Sequence, residues 1–531
     1  MNEPLALRHY QEEALRGSYG KWGYAYYMEQ RTGKTPTAVK DVERAFLDGT
    51  ISAAIVICPK CIITDWVGIA EDRSGFAGWF AAPHLAVGWK AGRKKTDPVL
   101  VEIGGEFLRV FVVNYDAIVR DTSVAWKTVD EMLRKHKCAV IFDESQRIKT
   151  PTASRTKKAL KIANRAAMVR ILSGTPAAES PLNYWTQGTA IGIPGWQHSF
   201  FAFRNRYAVL KKMVRKDSIF YGLRGKLPTH LREILDAGLE ARVTETPAED
   251  WVYTAYKGLT RIDRETVKNL IEYVMKKTYT DVVEYQRIDE LKALMEPYVF
   301  RITRKEAWPE TPDKQYKKLY VDLGPKQKRA YEEFKQRMIM EMQGQLVTAQ
   351  LAITKLLRLQ QILGGFPRTE DGEVVVIPDN QRIDTLLDYL EDVDGKVIIF
   401  ARFTPEVDAI VEALEGAGRH PVRFDGTTSD KDREAAKKAF QHGDATDFVA
   451  NVRAGDVGLT LSAAQTTIYY NRDPSLEIRL QSEDRAVSKE NKVLVVDMLA
   501  AGTVEVKTIE ALRMKRDLAA TITGDELLAW I

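Results

Sequence analysis

Met28-Glu29-Gln30-Arg31-Thr32-Gly33-Lys34-Thr35 comes after an aromatic, strand-like run from Trp22 to Tyr27 and leads into Pro36-Thr37-Ala38-Val39. Proline suits the first turn of a helix, where its missing N–H would have had no intrahelical partner, so a helix is predicted to begin here. Backbone N–H groups at a helix N-terminus form a ready anion site. Lys34 can reach the outer phosphates of a nucleotide, and the Thr35 hydroxyl can ligate Mg2+. The full phosphate-loop pattern asks for a first glycine five residues before Gly33, where this chain has Met28. Gly33-Lys34-Thr35 also arises by chance in surface loops, so the reading depends on the chain downstream of Thr35.

Downstream lies a series of buried strands. Ile51 to Cys58 is a continuous apolar run bounded by Gly49 and Pro59, the pattern of a parallel strand covered on both faces. Phe107 to Val113, ending at Asn114-Tyr115, is a second. Ala139 to Phe142 runs straight into Asp143-Glu144-Ser145-Gln146, and Met168 to Leu172 into Ser173-Gly174-Thr175-Pro176. Strands alternating with helical segments predict an open α/β sheet, whose ligands bind beyond the carboxyl ends of the strands. The loop, the acidic pair and the Ser-Gly-Thr element all fall at such ends.

The acidic pair supplies the second half of a phosphoryl-transfer site. That chemistry needs positioning and charge neutralisation: a lysine, a metal and a group that aligns water. Asp143 can hold Mg2+ through its water shell, and Glu144 can orient and deprotonate the attacking water. Two adjacent carboxylates can also simply cap the next helix. A Gly-Lys-Thr upstream on the same predicted sheet favours the catalytic reading. Upstream again, Leu7 to Gln11 opens a short amphipathic helix. Gln11 there is either plain helix surface or a reader of an adenine edge, since an amide donates and accepts at once.

Composition excludes several classes. Of 531 residues, 45% are apolar and 28% charged, ordinary for a soluble globular protein of about three or four domains. Basic and acidic residues nearly balance, 78 against 73, for a net charge of +5, so nucleic-acid binding must be read from local clusters. No apolar run is long enough to span a membrane, Met1 to Arg8 lacks a secretory apolar region, and a cytoplasmic setting is expected. Cys58 and Cys61 have zinc-ligand spacing, but with Cys138 the only other cysteine there is no second pair, and small core residues are the simpler reading.

Taken together, Leu7 to Gln11, the Gly33-Lys34-Thr35 loop, Ile55 to Pro59 with Trp66, the Asp143-Glu144 pair and Ser173 to Pro176 occur in the order of superfamily-two helicases. With Arg147-Ile148-Lys149 after the acidic pair, the chain resembles the Swi/Snf-type DNA-dependent ATPases, chromatin-remodeller-like motors that include small phage and bacterial members. The resemblance runs from Leu7 to about Arg516. It implies an α/β fold of two RecA-like parallel-sheet lobes with helical insertions between them. Residues 1–190 are expected to form the first, ATP-binding lobe, and 191–300 a helical protrusion. Residues 301–375 would be a connector with a second protrusion, and 376–531 the second lobe with a C-terminal brace helix.

The resemblance also implies site residues. Gln11, Arg31, Thr32, Gly33, Lys34, Thr35 and Gly458 would lie at ATP, with Thr35 and Asp143 on Mg2+. Lys34, Asp143, Glu144, Gln481 and Arg485 would carry catalysis, with Arg485 of the second lobe as the finger on the γ-phosphate. Lys60, Asn114, Tyr115, Arg402 and Arg453 fall on elements that face the nucleic acid. Arg204, Arg206, Lys211 and Lys212 open a basic, aromatic-interleaved run that is either a phosphate contact or a solvated face. Three positions depart from the family pattern: Arg31 replaces a loop glycine, Asp456 the second glycine of a pair, and Ser488 a second arginine.

The expected function is an ATP-driven motor on double-stranded DNA, acting as a monomer and without membrane association. A strand-separating helicase shares these motifs. A catalytically weak, ATP-switched DNA-binding scaffold is favoured by Met28 and Ser488 and opposed by Lys34, Thr35, Asp143, Glu144 and Arg485.

Overall fold

The structure is a computed structural model. It describes the chain apart from residues 1–5, 69–73, 91, 93–106, 178–179, 197–198, 215–222, 224, 244–260, 276–277, 345–348, 370, 454–460, 488–491, 511 and 513–531. Gly458, Asp456 and Ser488 lie outside the described residues, and of Lys212 only the main chain is described.

The strands in chain order are β1 (Gly23–Met28), β2 (Ala53–Cys58), β3 (His84–Gly88), β4 (Leu108–Asn114), β5 (Cys138–Asp143), β6 (Met168–Ser173), β7 (Ala208–Val214) and β8 (Thr278–Tyr285). They continue with β9 (Val299–Ile302), β10 (Gln315–Val321), β11 (Lys396–Ala401), β12 (Pro421–Phe424), β13 (Asp447–Asn451), β14 (Ala464–Tyr469) and β15 (Leu494–Ala500). Seven form one sheet in the order β3-β4-β2-β5-β6-β1-β9, and six a second in the order β10-β15-β14-β11-β13-β12. All pairings within both sheets are parallel.

Alternation along each strand explains why both faces are covered. Ala53, Ile55 and Ile57 enter one core of the first lobe, while Ala54, Val56 and Cys58 enter the core on the other face. In the second lobe Ile398 and Phe400 go one way and Val397, Ile399 and Ala401 the other. Because every strand runs in the same direction, the carboxyl ends of β1, β5 and β6 deliver Glu29, Asp143 and Ser173 to one edge of the first sheet.

The middle of the chain differs from expectation. The stretch from Trp185 to Tyr298 reads as helical, yet β7 and β8 pair there as an antiparallel ribbon with Lys211 opposite Asp281. The β-branched and aromatic content of Thr278 to Tyr285 favours a strand, and its interleaved charges mask the period. Two strands near the connector also join sheets far away in sequence. β9 pairs with β1 to complete the first sheet, and β10 pairs with β15 at the edge of the second. In the second lobe Ser429 caps the helix Asp430–His442, its hydroxyl accepting from the Asp432 N–H. No helix among the described residues is long and apolar enough to cross a membrane.

Candidate nucleotide site and nucleic-acid face

The helix Lys34–Leu47 begins at the loop, with Gly33 at its N-cap in left-handed backbone, φ +89°. A Cβ on Gly33 would come within 2.0 Å of Gln11 Nε2, so glycine is required by both conformation and space. Arg31, two residues earlier, is left-handed too, φ +68°. That conformation costs a non-glycine residue roughly 1–2 kcal/mol. The Thr37 N–H makes the first return bond of the helix, to Gly33 O at 3.2 Å, which leaves the amides of Lys34 and Thr35 without intrahelical partners. Lys34 is buried, and its Nζ donates to the carbonyls of Met28 at 2.9 Å and Glu29 at 3.3 Å. The ammonium is thereby folded over its own loop.

Gln11 is buried beside this loop. Its Nε2 donates to Thr32 O at 3.2 Å and Gly33 O at 3.4 Å, and its Oε1 accepts from the Arg8 N–H at 2.8 Å. Both halves of the amide are held by main chain, so here Gln11 braces the loop rather than offering an open adenine-reading edge.

The acidic pair is the most constrained part of the site. Asp143 ends β5, and its Oδ2 accepts from Trp66 Nε1 at 2.8 Å. Its Oδ1 accepts from the Glu144 N–H, also at 2.8 Å. Burial, then the charge of Glu144, raises the Asp143 carboxyl to about 6, against the donation from Trp66 and the charge of Lys34. Glu144 sits in left-handed backbone, φ +50°, with its carboxylate accepting from Gln30 Nε2 at 3.2 Å and from Gln146 Nε2 at 2.7 Å. Ser173 of the Ser-Gly-Thr element donates to Gln146 Oε1 at 2.7 Å. The third motif therefore acts on the second through one glutamine.

These groups fit Mg2+. No cluster of three His, Cys, Asp or Glu side chains exists among the described residues. A small hard cation would draw on the Asp143 carboxylate and the Thr35 hydroxyl, and on water and phosphate oxygens for the rest, the ligand set that Mg2+ prefers. Its charge would also relieve the crowded carboxylates.

The second lobe closes the site. Arg31 Nη2 donates to the main-chain carbonyl of Arg485 at 2.7 Å. The same carbonyl accepts from the Leu461 N–H at 3.0 Å. Arg304, just past β9, receives Glu29 on its own N–H at 2.7 Å, and its guanidinium lies 3.4 Å from Glu29 and 3.0 Å from Asp484. Lys314 bonds to Asp484 at 2.8 Å and Glu483 at 3.1 Å. Burial pushes the Asp484 carboxyl up, but Lys314 and Arg304 overcome this and hold it well below the usual carboxylate range. A further bridge, Lys149 to Glu477 at 2.8 Å, spans the lobes. Gln481 is buried in the helix Leu476–Glu483 that presents Arg485.

Two descriptions of known domains match the chain. The SNF2-related domain matches residues 14–364 and the helicase conserved C-terminal domain residues 381–489. The first match covers more than half of the chain. The chain belongs to the SNF2-related family.

Similar proteins include an uncharacterized ATP-dependent helicase of Mycoplasma pneumoniae, 22% identical over 98% of this chain and 44% of its own length. The chromodomain-helicase-DNA-binding protein 1-like of Danio rerio is 27% identical over 50% of this chain and 27% of its own. The SNF2-related chain described here thus spans less than half the length of these two relatives. The solved Sulfolobus solfataricus SWI2/SNF2 ATPase core in complex with dsDNA aligns over 98% of this chain and 94% of that one. Its identity is 19% and its TM-score 0.36, a superposition too loose to bear on lobe arrangement.

The residues expected to face nucleic acid in this SNF2-related chain fall into three groups. Lys60 is exposed just beyond β2, and Asn114 is half-buried at the end of β4. Arg402 and Arg453 converge on Asp473: Arg453 Nε donates to it at 2.6 Å and Arg402 lies 3.8 Å away. Tyr115 is a correction. It is 2% exposed, and its hydroxyl donates to the Asp143 carbonyl at 2.8 Å, so it supports the acidic pair and presents no surface to DNA.

Within the basic run Arg206 pairs with Glu290 at 2.6 Å, and Arg204 lies over the Phe201 ring at 5.3 Å. Sequence reading gives no role at the site to Gln30, Gln146 or Arg304, and Trp66 enters it only as a family marker. Gln30 and Gln146 are within two residues of motif positions, and that proximity is the one available signal.

Proposed function

We propose that this chain is an ATP-driven motor that translocates on double-stranded DNA, hydrolysing Mg2+-ATP between its two lobes. The observation that carries the proposal is the bond from Arg31, three residues before Lys34, to the Arg485 carbonyl at 2.7 Å. It brings a phosphate loop from one parallel sheet against the arginine-bearing turn of another. Lys34 neutralises the phosphates. Glu144, held by Gln30 and Gln146, aligns a water and takes its proton as the water oxygen attacks the γ-phosphorus. The bond from that phosphorus to the β–γ bridging oxygen breaks, releasing ADP and phosphate. Arg485 stabilises the charge that develops, as such a group does when fixed in place before reaction. Bound Mg2+ supplies further neutralisation of the phosphate oxygens.

The lobes meet through a few ion pairs, and ATP favours the closed state by interacting with both. Alternation between closed and open states moves the second lobe along one strand. Lys60, Arg402 and Arg453 are proposed to touch phosphate backbone, which positions a protein on DNA without reading its sequence.

The test is phosphate release with no nucleic acid, single-stranded DNA, duplex DNA and RNA, at two salt concentrations. Triplex displacement and forked-duplex unwinding are assayed beside it. Stimulation by duplex DNA with triplex displacement is the expected result. Unwinding of forks without triplex displacement assigns the chain to strand separation instead.

A further inference from the structure

Arg31 joins the lobes through its bond to the Arg485 carbonyl. Its backbone is strained, φ +68°, in a loop whose neighbour Gly33 shows how easily glycine adopts that geometry. A side chain kept in such a place has a task, and this one reaches across the cleft. Among the described residues it makes one hydrogen bond, to the Arg485 carbonyl, and no ion pair. A guanidinium carries five donors in a planar fork, so most of its capacity remains. The group is mostly withdrawn from water, and its charged neighbours are two further arginines, Arg485 and Arg304, with Asp484 opposing them. Burial first, then those arginines, lowers its pKa to about 10. Lys34 is three residues along the same loop. The arrangement gathers cations from both lobes around one place beside the helix N-terminus, which suits a multiply charged anion.

We propose that Arg31 is a catalytic contact of this site. With one nitrogen on the Arg485 carbonyl, its remaining donors hold the terminal phosphate from the first lobe's side, so that the site distinguishes ATP from ADP and Arg485 is registered against the same phosphate. The inference rests on reading the site as an ATPase. It adds a second arginine to the reaction, drawn from the phosphate loop itself and tied to lobe closure.

The experiment compares wild type with Arg31→Gly and Arg31→Lys. The readouts are kcat, KM for ATP, ADP affinity, retention of ADP with aluminium fluoride, and melting temperature. Glycine removes the strained conformation, so Arg31→Gly is expected to melt at or above the wild-type temperature. Its kcat is expected to fall about 100-fold, the order seen when one fixed donor to a developing charge is lost. ADP affinity stays within twofold, and retention of the fluoride complex is lost.

Arg31→Lys keeps the charge but not the fork and is expected to fall at least 10-fold in kcat. Three outcomes overturn the proposal: Arg31→Gly turning over within threefold of wild type, equal loss of ADP and ATP binding, or a fully active Arg31→Lys. A wild type inert towards ATP under every nucleic acid condition is a separate failure, that of the ATPase reading itself.

Discussion

Arg304 stands between Glu29 and Asp484, 3.4 Å from the first and 3.0 Å from the second, and so joins the phosphate loop to the turn that carries Arg485. The guanidinium and Asp484 are both largely buried. Breaking one partner of such a pair leaves an uncompensated charge, worth several kcal/mol when nothing else is near. Here Lys314 still faces Asp484, so Arg304→Ala is expected to destabilise by a smaller amount, about 1–3 kcal/mol. A double-mutant cycle of Arg304→Ala with Asp484→Ala in urea unfolding should give a coupling above about 1 kcal/mol. Strict additivity would show that the contact does no work across the cleft.

Lys34→Ala and Glu144→Gln should separate binding from chemistry. Lys34→Ala removes the ammonium proposed to meet the phosphates and is expected to weaken nucleotide affinity and abolish DNA-stimulated phosphate release. Glu144→Gln keeps the shape and loses the base, so nucleotide still binds while turnover falls on the order of 100-fold or more. Equal phosphate release by wild type and Glu144→Gln removes Glu144 from its assigned role.

The Trp66 contact gives a pH signature. The Mg2+ role proposed for Asp143 needs its ionised form, and burial has raised the carboxyl to about 6, so activity should climb as pH rises through that value. Trp66 donates to Oδ2 and thereby favours the ionised form. Trp66→Phe keeps most of the volume and removes the donor. The acidic limb of the kcat/KM profile should move to higher pH by up to about one unit. A limb that stays in place, with activity merely scaled down, would count against a charge role for the indole.

Glu406 makes the second lobe's stability depend on pH. Burial raises its carboxyl to about 7, despite donations from Asn471 and from the main-chain N–H groups of Phe403 and Arg402. The folded state therefore holds this proton more tightly than the unfolded chain. The contribution is fully present below the ordinary glutamate value and is lost as pH rises through about 7. Unfolding free energies from urea titrations at pH 5, 6, 7 and 8 should decline across this window, by on the order of 2–3 kcal/mol in all from this group. Glu406→Gln should flatten the decline.

Charge changes on the proposed DNA face should differ from those on the ribbon. Lys60→Ala and Arg453→Ala are each expected to weaken duplex binding alike across sequences and to lower the salt slope by about one. Arg206→Ala, in the helix beside the ribbon and outside the proposed DNA face, should change binding little. Fluorescence anisotropy over a salt series reads both.

The parts legible in the sequence are those written in local pattern. Apolar runs ending at Cys58, Phe142 and Leu172 are strands of the first sheet, and the motif residues sit at their carboxyl ends. The illegible parts depend on pairings distant in sequence. Nothing near Val299 announces that it lies beside Ala25, and nothing near Gln315 that it lies beside Leu494. The same holds for side chains. Tyr115 comes at a strand end like its neighbours, and only packing reveals that its hydroxyl turns inward to Asp143. Arg304 owes its place to β9 being next to β1, so its bridge to Glu29 could not be read from its own surroundings.

The position of β9 also constrains how this protein is made. Tyr24 to Met28 emerge from the ribosome early, but the strand that covers their outer flank is Val299–Ile302, more than 250 residues behind. During synthesis the first sheet has an uncapped border, with main-chain groups open to any passing strand. The newly made chain must keep that border from strangers until Ile302 arrives, so co-translational aggregation, rather than equilibrium stability, is where substitutions in the intervening insertion should first tell.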